Sequence, residues 1–168
     1  MAAITTAMIK ELREATSCGV MDAKRALEAS AGDMKAARDV IREQGVATAA
    51  KRSDRETNQG IVESYIHGGG RIGVIVELNC ETDFVANTPD FRQLARDVAM
   101  QVAAMNPAVV AVEDRKPEHE GTDAELVLMA QPFIKDSGRS IGDLVKEVVA
   151  KTGENVRVSR FARFELGR

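Results

Sequence analysis

Apolar residues recur at helical spacing three times within the first 45 positions. Met8, Ile9, Leu12 and Ala15 fall on one face of a helix that Thr5 or Thr6 can cap. Ser17-Cys18-Gly19 breaks that run. Met21, Ala23, Ala26 and Leu27 pattern a second helix over about Val20 to Ala29, and Gly32-Asp33 punctuates it. Ala36, Ala37, Val40 and Ile41 pattern a third, with Asp33 as its cap and Gly45 as its expected end. Positions 1–46 therefore read as a three-helix unit near the lower size limit for independent folding. Positions 47–59 hold no large apolar residue and read as a linker, helical or extended.

From Gly60 the period changes to two. Ile61 to Ile66 is β-prone, and Gly68-Gly69-Gly70 supplies a turn. The return run puts Ile72, Val74, Val76 and Leu78 on one face and Gly73, Ile75 and Glu77 on the other. Helical spacing resumes after Thr88-Pro89, a cap followed by a first-turn proline, with Phe91, Leu94, Ala95, Val98, Val102 and Met105 in one stripe. Asn106-Pro107 stops it. Residues 108–125 are polar and irregular, and 126–134 form a weaker element around Pro132. Ser140 with Asp143 has the spacing of a capping box and opens a helix closed by Gly153. A last strand spans about Asn155 to Leu166, with Val156, Val158, Ala162 and Phe164 expected in phase. The fold class is α+β: a helical bundle at 1–46, a linker at 47–59, and at 60–168 a small antiparallel sheet covered by helices.

The 168 residues carry a net charge of −3 and no Trp. The core is aliphatic, and the mild acidity argues against general nucleic-acid binding. The N-terminus has neither the basic start nor the apolar run of a signal peptide, and no stretch approaches a bilayer span, so the cytoplasm is the expected location. Cys18 and Cys80 read as two reduced thiols. His67 and His119 have no second ligand at metal spacing, so no metal or cofactor is expected. The triple glycine lacks the Gly-Lys-Ser/Thr ending of a phosphate loop. No nucleophile elbow or Cys-His arrangement is present, and Glu63, Glu77 and Glu81 read as solvated surface rather than a catalytic acid pair.

The segment Asn79-Cys80-Glu81-Thr82-Asp83-Phe84-Val85-Ala86 joins a strand end to a helix start. Two roles are open for its acid and ring. Phe84 can seal the core with Asp83 capping the turn, the more usual fate of Phe. Alternatively both project, since adjacent residues at a helical tip diverge by about 100°. Arg157, Arg160, Arg163 and Arg168, with Phe161 and Phe164 between them, allow a protected sheet edge or an RNA-binding strand, and the former is preferred.

NCETDFVA closely resembles the central signature of the elongation factor Ts family. Leu12-Arg13-Glu14-Ala15-Thr16, Gly19 to Leu27, Gly153-Glu154-Asn155-Val156 and Arg160 to Glu165 are also similar, in the family's order. Ser17-Cys18, where the family often has Gly-Ala, and Val20, where it often has Met, depart from it. The resemblance implies a ubiquitin-associated-like N-terminal bundle and a core dimerisation domain. It implies a nonenzymatic guanine-nucleotide exchange factor that acts on elongation factor Tu, GDP-bound and nucleotide-free, in translation elongation. Thr82, Asp83, Phe84 and Val85 would enter near the partner's magnesium and phosphate site. Arg13, Val20, Met21 and Arg52 would dock elsewhere on the partner. The chain looks like the short form, which pairs as a homodimer, and His67 would come from the second copy. Neither direct nucleic-acid binding nor membrane binding is implied. Two readings of other classes remain: an RNA-associated module using the arginine strand, and a small hydrolase using carboxylates.

Overall fold

A computed structural model describes residues 4–16 and 18–167, with positions 46 and 48–51 described by backbone alone. Ser17 and Arg168 lie outside the described residues. Helices α1 (Thr6–Thr16), α2 (Val20–Ala29) and α3 (Met34–Arg52) come first. Thr5 accepts from the Met8 amide at the start of α1, and Asp33 accepts from Ala36 at the start of α3. Their shared core is Leu12, Ala23, Ala26, Leu27 and Ala37, flanked by Met8, Ile9, Val40 and Ile41. Ala15, Met21 and Ala36, expected inside, face out.

Helix α3 does not end at Gly45. It continues to Arg52, so the helical alternative for the first part of the linker is the one observed. Gly45 faces α7 (Ile141–Thr152), where a Cβ on it would sit 3.5 Å from the Ala150 methyl. Here glycine lies within a helix crossing rather than at a stop, and a Cβ would make only ordinary contact.

Strands β1 (Gln59–His67) and β2 (Ile72–Cys80) form the expected hairpin, and β5 (Val156–Glu165) pairs with the other side of β2. The three glycines at 68–70 all take positive φ, as the turn requires. Helix α4 (Asp83–Ala86) is a single turn after β2, and α5 (Pro89–Met105) follows. A polar segment then leads to α6 (Asp123–Leu126) and to a small hairpin, β3 (Pro132–Phe133) and β4 (Asp136–Ser140), that the sequence pattern did not predict. The main core lies between one face of the sheet and helices α5 and α7. Val74, Val76, Leu78, Phe91, Val98, Ile141 and Val158 are its centre.

The expected phase of β5 needs one correction. Val156 and Val158 point into the core, but a bulge places Ser159 between the pairs Leu78–Val158 and Glu77–Arg160. One extra residue exchanges the two faces of everything after it. Phe161 therefore packs on the core, while Ala162 and Phe164 turn to the open side. The open face carries Val62, Ile66, Ile75, Ala162 and Phe164, with Leu166 just beyond.

Candidate partner-binding site

β2 runs to Cys80, bends at Glu81 and delivers Thr82 in an extended conformation as the cap of α4. The Thr82 hydroxyl accepts from the Val85 amide at 3.4 Å. Two residues past the end of α4, Thr88 caps α5, accepting from Phe91 and donating to the Val85 carbonyl at 2.8 Å. A four-residue turn held at both ends divides its side chains cleanly. Val85 and Ala86 face inward and close the core, whereas Asp83 and Phe84 face out. Phe84 is 82% exposed, the highest value among the large exposed hydrophobic residues described. The core-sealing role open to Phe84 from sequence thus falls to Val85. The ring is therefore left almost uncovered by its own chain.

The base of this tip is densely bonded. The Glu154 carboxylate accepts from the amides of Glu81 and Thr82 at 3.1 and 3.0 Å and from the Thr82 hydroxyl at 2.6 Å. Glu81 in turn accepts from the Asn155 amide at 2.6 Å and pairs with Arg55 at 3.3 Å. The buried Asn155 side chain donates to the carbonyls of Ser53 and Arg55. Burial, and then the charge of Glu154, push the Cys80 thiol up to about 11. Glu154 and Asn155 were not singled out as site residues from the sequence. The available signal was the Gly153-Glu154-Asn155-Val156 match, which periodicity reads only as a helix end.

Arg13, Val20 and Met21 come together at the α1–α2 turn. Val20 and Met21 are 50% and 62% exposed, and Arg13 donates to the Cys18 carbonyl across the turn. Arg52, at the end of α3, lays its guanidinium over Gly153 and so sits beside the segment that carries Glu154. His67 stands apart. It pairs with Ile72 at the turn end of the hairpin, whereas the tip follows Cys80 at the other end, roughly 26 Å along β1. The His67 ring stacks on Tyr65 and shares a 3.0 Å hydrogen bond with its hydroxyl.

The other chemistries find little support. Glu63, Glu77 and Glu81 each face an arginine: Arg96, Arg160 and Arg55. The hydrogen bond from Arg160 holds the Glu77 carboxyl below its usual range. Arg163 is tied to Glu165 and to the Ala103 carbonyl, Arg160 pairs with Glu77, and Phe161 is packed inward, which leaves Phe164 as the one exposed ring on β5. Among the described residues no group of three His, Cys, Asp or Glu is placed to hold a metal ion. No helix described is long and apolar enough to cross a membrane. A cleft of about 500 Å³ between α1, α3 and α7 is lined by alternating charges, including Arg38, Arg42, Glu14 and Glu147, and by none of the residues discussed above as partner contacts.

The model of the family described as Elongation factor TS matches residues 2–119. A protein of Rubrobacter xylanophilus named Elongation factor Ts is 47% identical, covering 94% of this chain and 96% of its own. One of Desulfosudis oleivorans with the same name is 47% identical over 99% of this chain and 100% of its own. One of Caldanaerobacter subterraneus subsp. tengcongensis is 43% identical over 98% and 97%. The Desulfosudis alignment has 197 positions yet takes in 99% of a 168-residue chain, so about 30 of them are gaps on this side.

Proposed function

The chain belongs to the elongation factor Ts family, and from that premise we propose that it speeds GDP release from elongation factor Tu by inserting the Asp83–Phe84 tip beside the partner's magnesium and phosphate site. Family membership itself implies a nucleotide-exchange role in translation elongation and an interaction with elongation factor Tu. The observation that carries the finer reading is the 82% exposed Phe84 on a turn capped at both ends.

A GTPase of this kind holds its diphosphate through a phosphate loop and Mg²⁺. Phe84 wedges between side chains near that metal, and Asp83, beside it, repositions the groups that support the ion. Thr82 and Val85 frame the turn so that ring and carboxylate arrive together. Weakened metal and phosphate contacts let the nucleotide leave. Coupling is reciprocal, so rebinding of nucleotide weakens the factor's own grip and lets GTP expel it. Arg13, Val20 and Met21 dock on a second area of the partner, and their exposure at one turn suits that role. Arg52 adds a cationic contact on the tip's side. No bond is made or broken by this chain, and no cofactor or metal of its own is needed; it works in the cytoplasm.

A second copy of the chain covers the open sheet face. Val62, Ile66, Phe164 and Leu166 are 65–70% exposed there and Ile75 is 47% exposed, an apolar face bordered by Ser64 and the Glu77–Arg160 pair that a two-fold partner with the same face can bury. His67 then reaches the partner GTPase from the second copy, because within one chain it lies at the wrong end of the sheet.

Release of fluorescent GDP from elongation factor Tu tests the wedge. Burial of a Phe side chain contributes about 1.5–3 kcal/mol, so Phe84→Ala is expected to slow catalysed release by about 10- to 150-fold. Equal acceleration by wild type and Phe84→Ala removes the assignment. In the same assay, an unchanged rate with His67→Ala removes the role given to His67.

A further inference from the structure

An exposed wedge is effective only on a rigid mount, and the tip does not supply that mount by itself. The β2–β5 ladder ends at Cys80 opposite Val156. Beyond that pair the amides of Glu81, Thr82 and Asn155 have no strand partner, and two carboxylates take them over. Glu154 receives the amides of Glu81 and Thr82, and Glu81 receives that of Asn155. The two strand ends thus hold each other through side chains where the backbone ladder stops.

Glu154 does more than satisfy amides. The Thr82 hydroxyl donates to it at 2.6 Å, which leaves the hydroxyl's lone pairs free to accept from the Val85 amide. The carboxylate therefore sets the direction of the very hydroxyl that caps α4. Bonds to an ionised acceptor are among the stronger ones in a protein. The neighbouring residue extends the hold, since Asn155 ties the carbonyls of Ser53 and Arg55, just past α3, to the same point.

We propose that Glu154 is a positioning residue for nucleotide exchange: its carboxylate fixes the Thr82–Val85 turn so that Asp83 and Phe84 meet the partner already ordered. This rests on the wedge reading above. Without the carboxylate the turn must be ordered during insertion, and the cost falls on the release step rather than on docking.

The test uses the full chain with GDP-loaded elongation factor Tu and five proteins: wild type, Glu154→Ala, Glu154→Gln, Phe84→Ala, and Val158→Ala as a core variant that loses stability elsewhere in β5. Glu154→Ala is expected to lower GDP release at saturating factor by about tenfold while the half-saturating concentration stays within about twofold. Glu154→Gln, which keeps an acceptor for both amides, should retain most of the rate. In the free chain, Glu154→Ala should speed hydrogen exchange at the Thr82 and Val85 amides and leave the β1–β2 ladder protected. Unchanged protection at those two amides overturns the proposal whatever the release assay gives. So does a wild-type release rate in Glu154→Ala, or an equal loss in Val158→Ala, while Phe84→Ala is slow; the wedge would then stand without its mount. A fast Phe84→Ala takes down the wedge itself and Glu154's part in release with it, and the exchange rates of the two amides show that separately.

Discussion

Replacing Ile75 by Lys puts a charge at the middle of the open sheet face. Ile75 lies on the central strand, opposite Ser64 on one side and Ala162 on the other. Val62, Ile66 and Phe164 are its diagonal neighbours. Pairing two copies brings together ten large apolar side chains, eight of them roughly two-thirds exposed beforehand and the two Ile75 about half exposed. At about 1.5–3 kcal/mol for full burial of each, the gross gain is on the order of 10–20 kcal/mol. Association costs about 4–15 kcal/mol in lost freedom, so mid-range values leave a surplus of about 5–6 kcal/mol, which corresponds to pairing at about 0.1 mM. In a single copy Ile75→Lys should change stability by less than about 1 kcal/mol, because the ammonium reaches water along its stem. In the pair the charge is buried without a partner, at a cost of about 3–5 kcal/mol, which weakens pairing at least a hundredfold. Sedimentation equilibrium from about 10 μM to about 1 mM, a range that brackets the expected constant, measures both proteins. A wild-type chain that stays monomeric throughout, or a lysine variant that pairs as tightly as wild type, would refute the face-to-face reasoning.

Three further outcomes are expected. Gly60→Ala should destabilise by about 2–3 kcal/mol, read as a lower urea midpoint at constant slope, because φ there is +150° and the new Cβ would lie 2.2 Å from the Leu78 carbonyl oxygen; a neutral effect would contradict the register at that point. At pH 8 iodoacetamide should label half-buried Cys18 and spare Cys80, whose thiol is fully buried and raised to about 11; equal labelling in a mass spectrum of the native protein would argue against the packing around the tip. Burial opposes ionisation of Asp143, but the amide and hydroxyl of Ser140 outweigh it and hold the carboxyl below its ordinary 3.8. Its contribution is therefore present above pH 3.8 and lost as the pH falls through the lowered value. Asp143→Ala should cost about 1 kcal/mol at pH 7 and progressively less below pH 3.8, and a gap that does not narrow there would refute the capping-box assignment.

Much of the fold is legible in local chemistry. Asp33, Thr88 and Ser140 are caps whose side chains each bond the amide that the spacing predicts. The hairpin register follows from alternation and the triple glycine. What the sequence hides is decided by distant partners. Gly45 reads as a stop because nothing nearby announces that α7 will lie against it. The phase of β5 fails at Ser159, since a bulge inserts one residue and leaves no compositional mark. Val20 and Met21 have the spacing of core residues yet lie exposed, because the small bundle is already filled by Leu12, Leu27 and alanines. At the tip, the words of the motif mark a strand end and a helix start but not which side chains face out. Only coordinates separate Phe84, which is outside, from Val85, which is inside, and only they bring Glu154 across 72 residues to the turn that it holds.

The run of α3 through Gly45 to Arg52 sets a mechanical condition on the whole chain. A continuous helix transmits rotation as well as length: each residue added or removed between Gly45 and Arg52 advances one end by about 1.5 Å and turns it by about 100°. With Arg52 lying over Gly153 at its far end and α1 and α2 packed on its first turns, the helix works as a keyed shaft. Single-residue insertions there would swing Val20 and Met21 to another side of the molecule while every local contact around Phe84 stayed as it was.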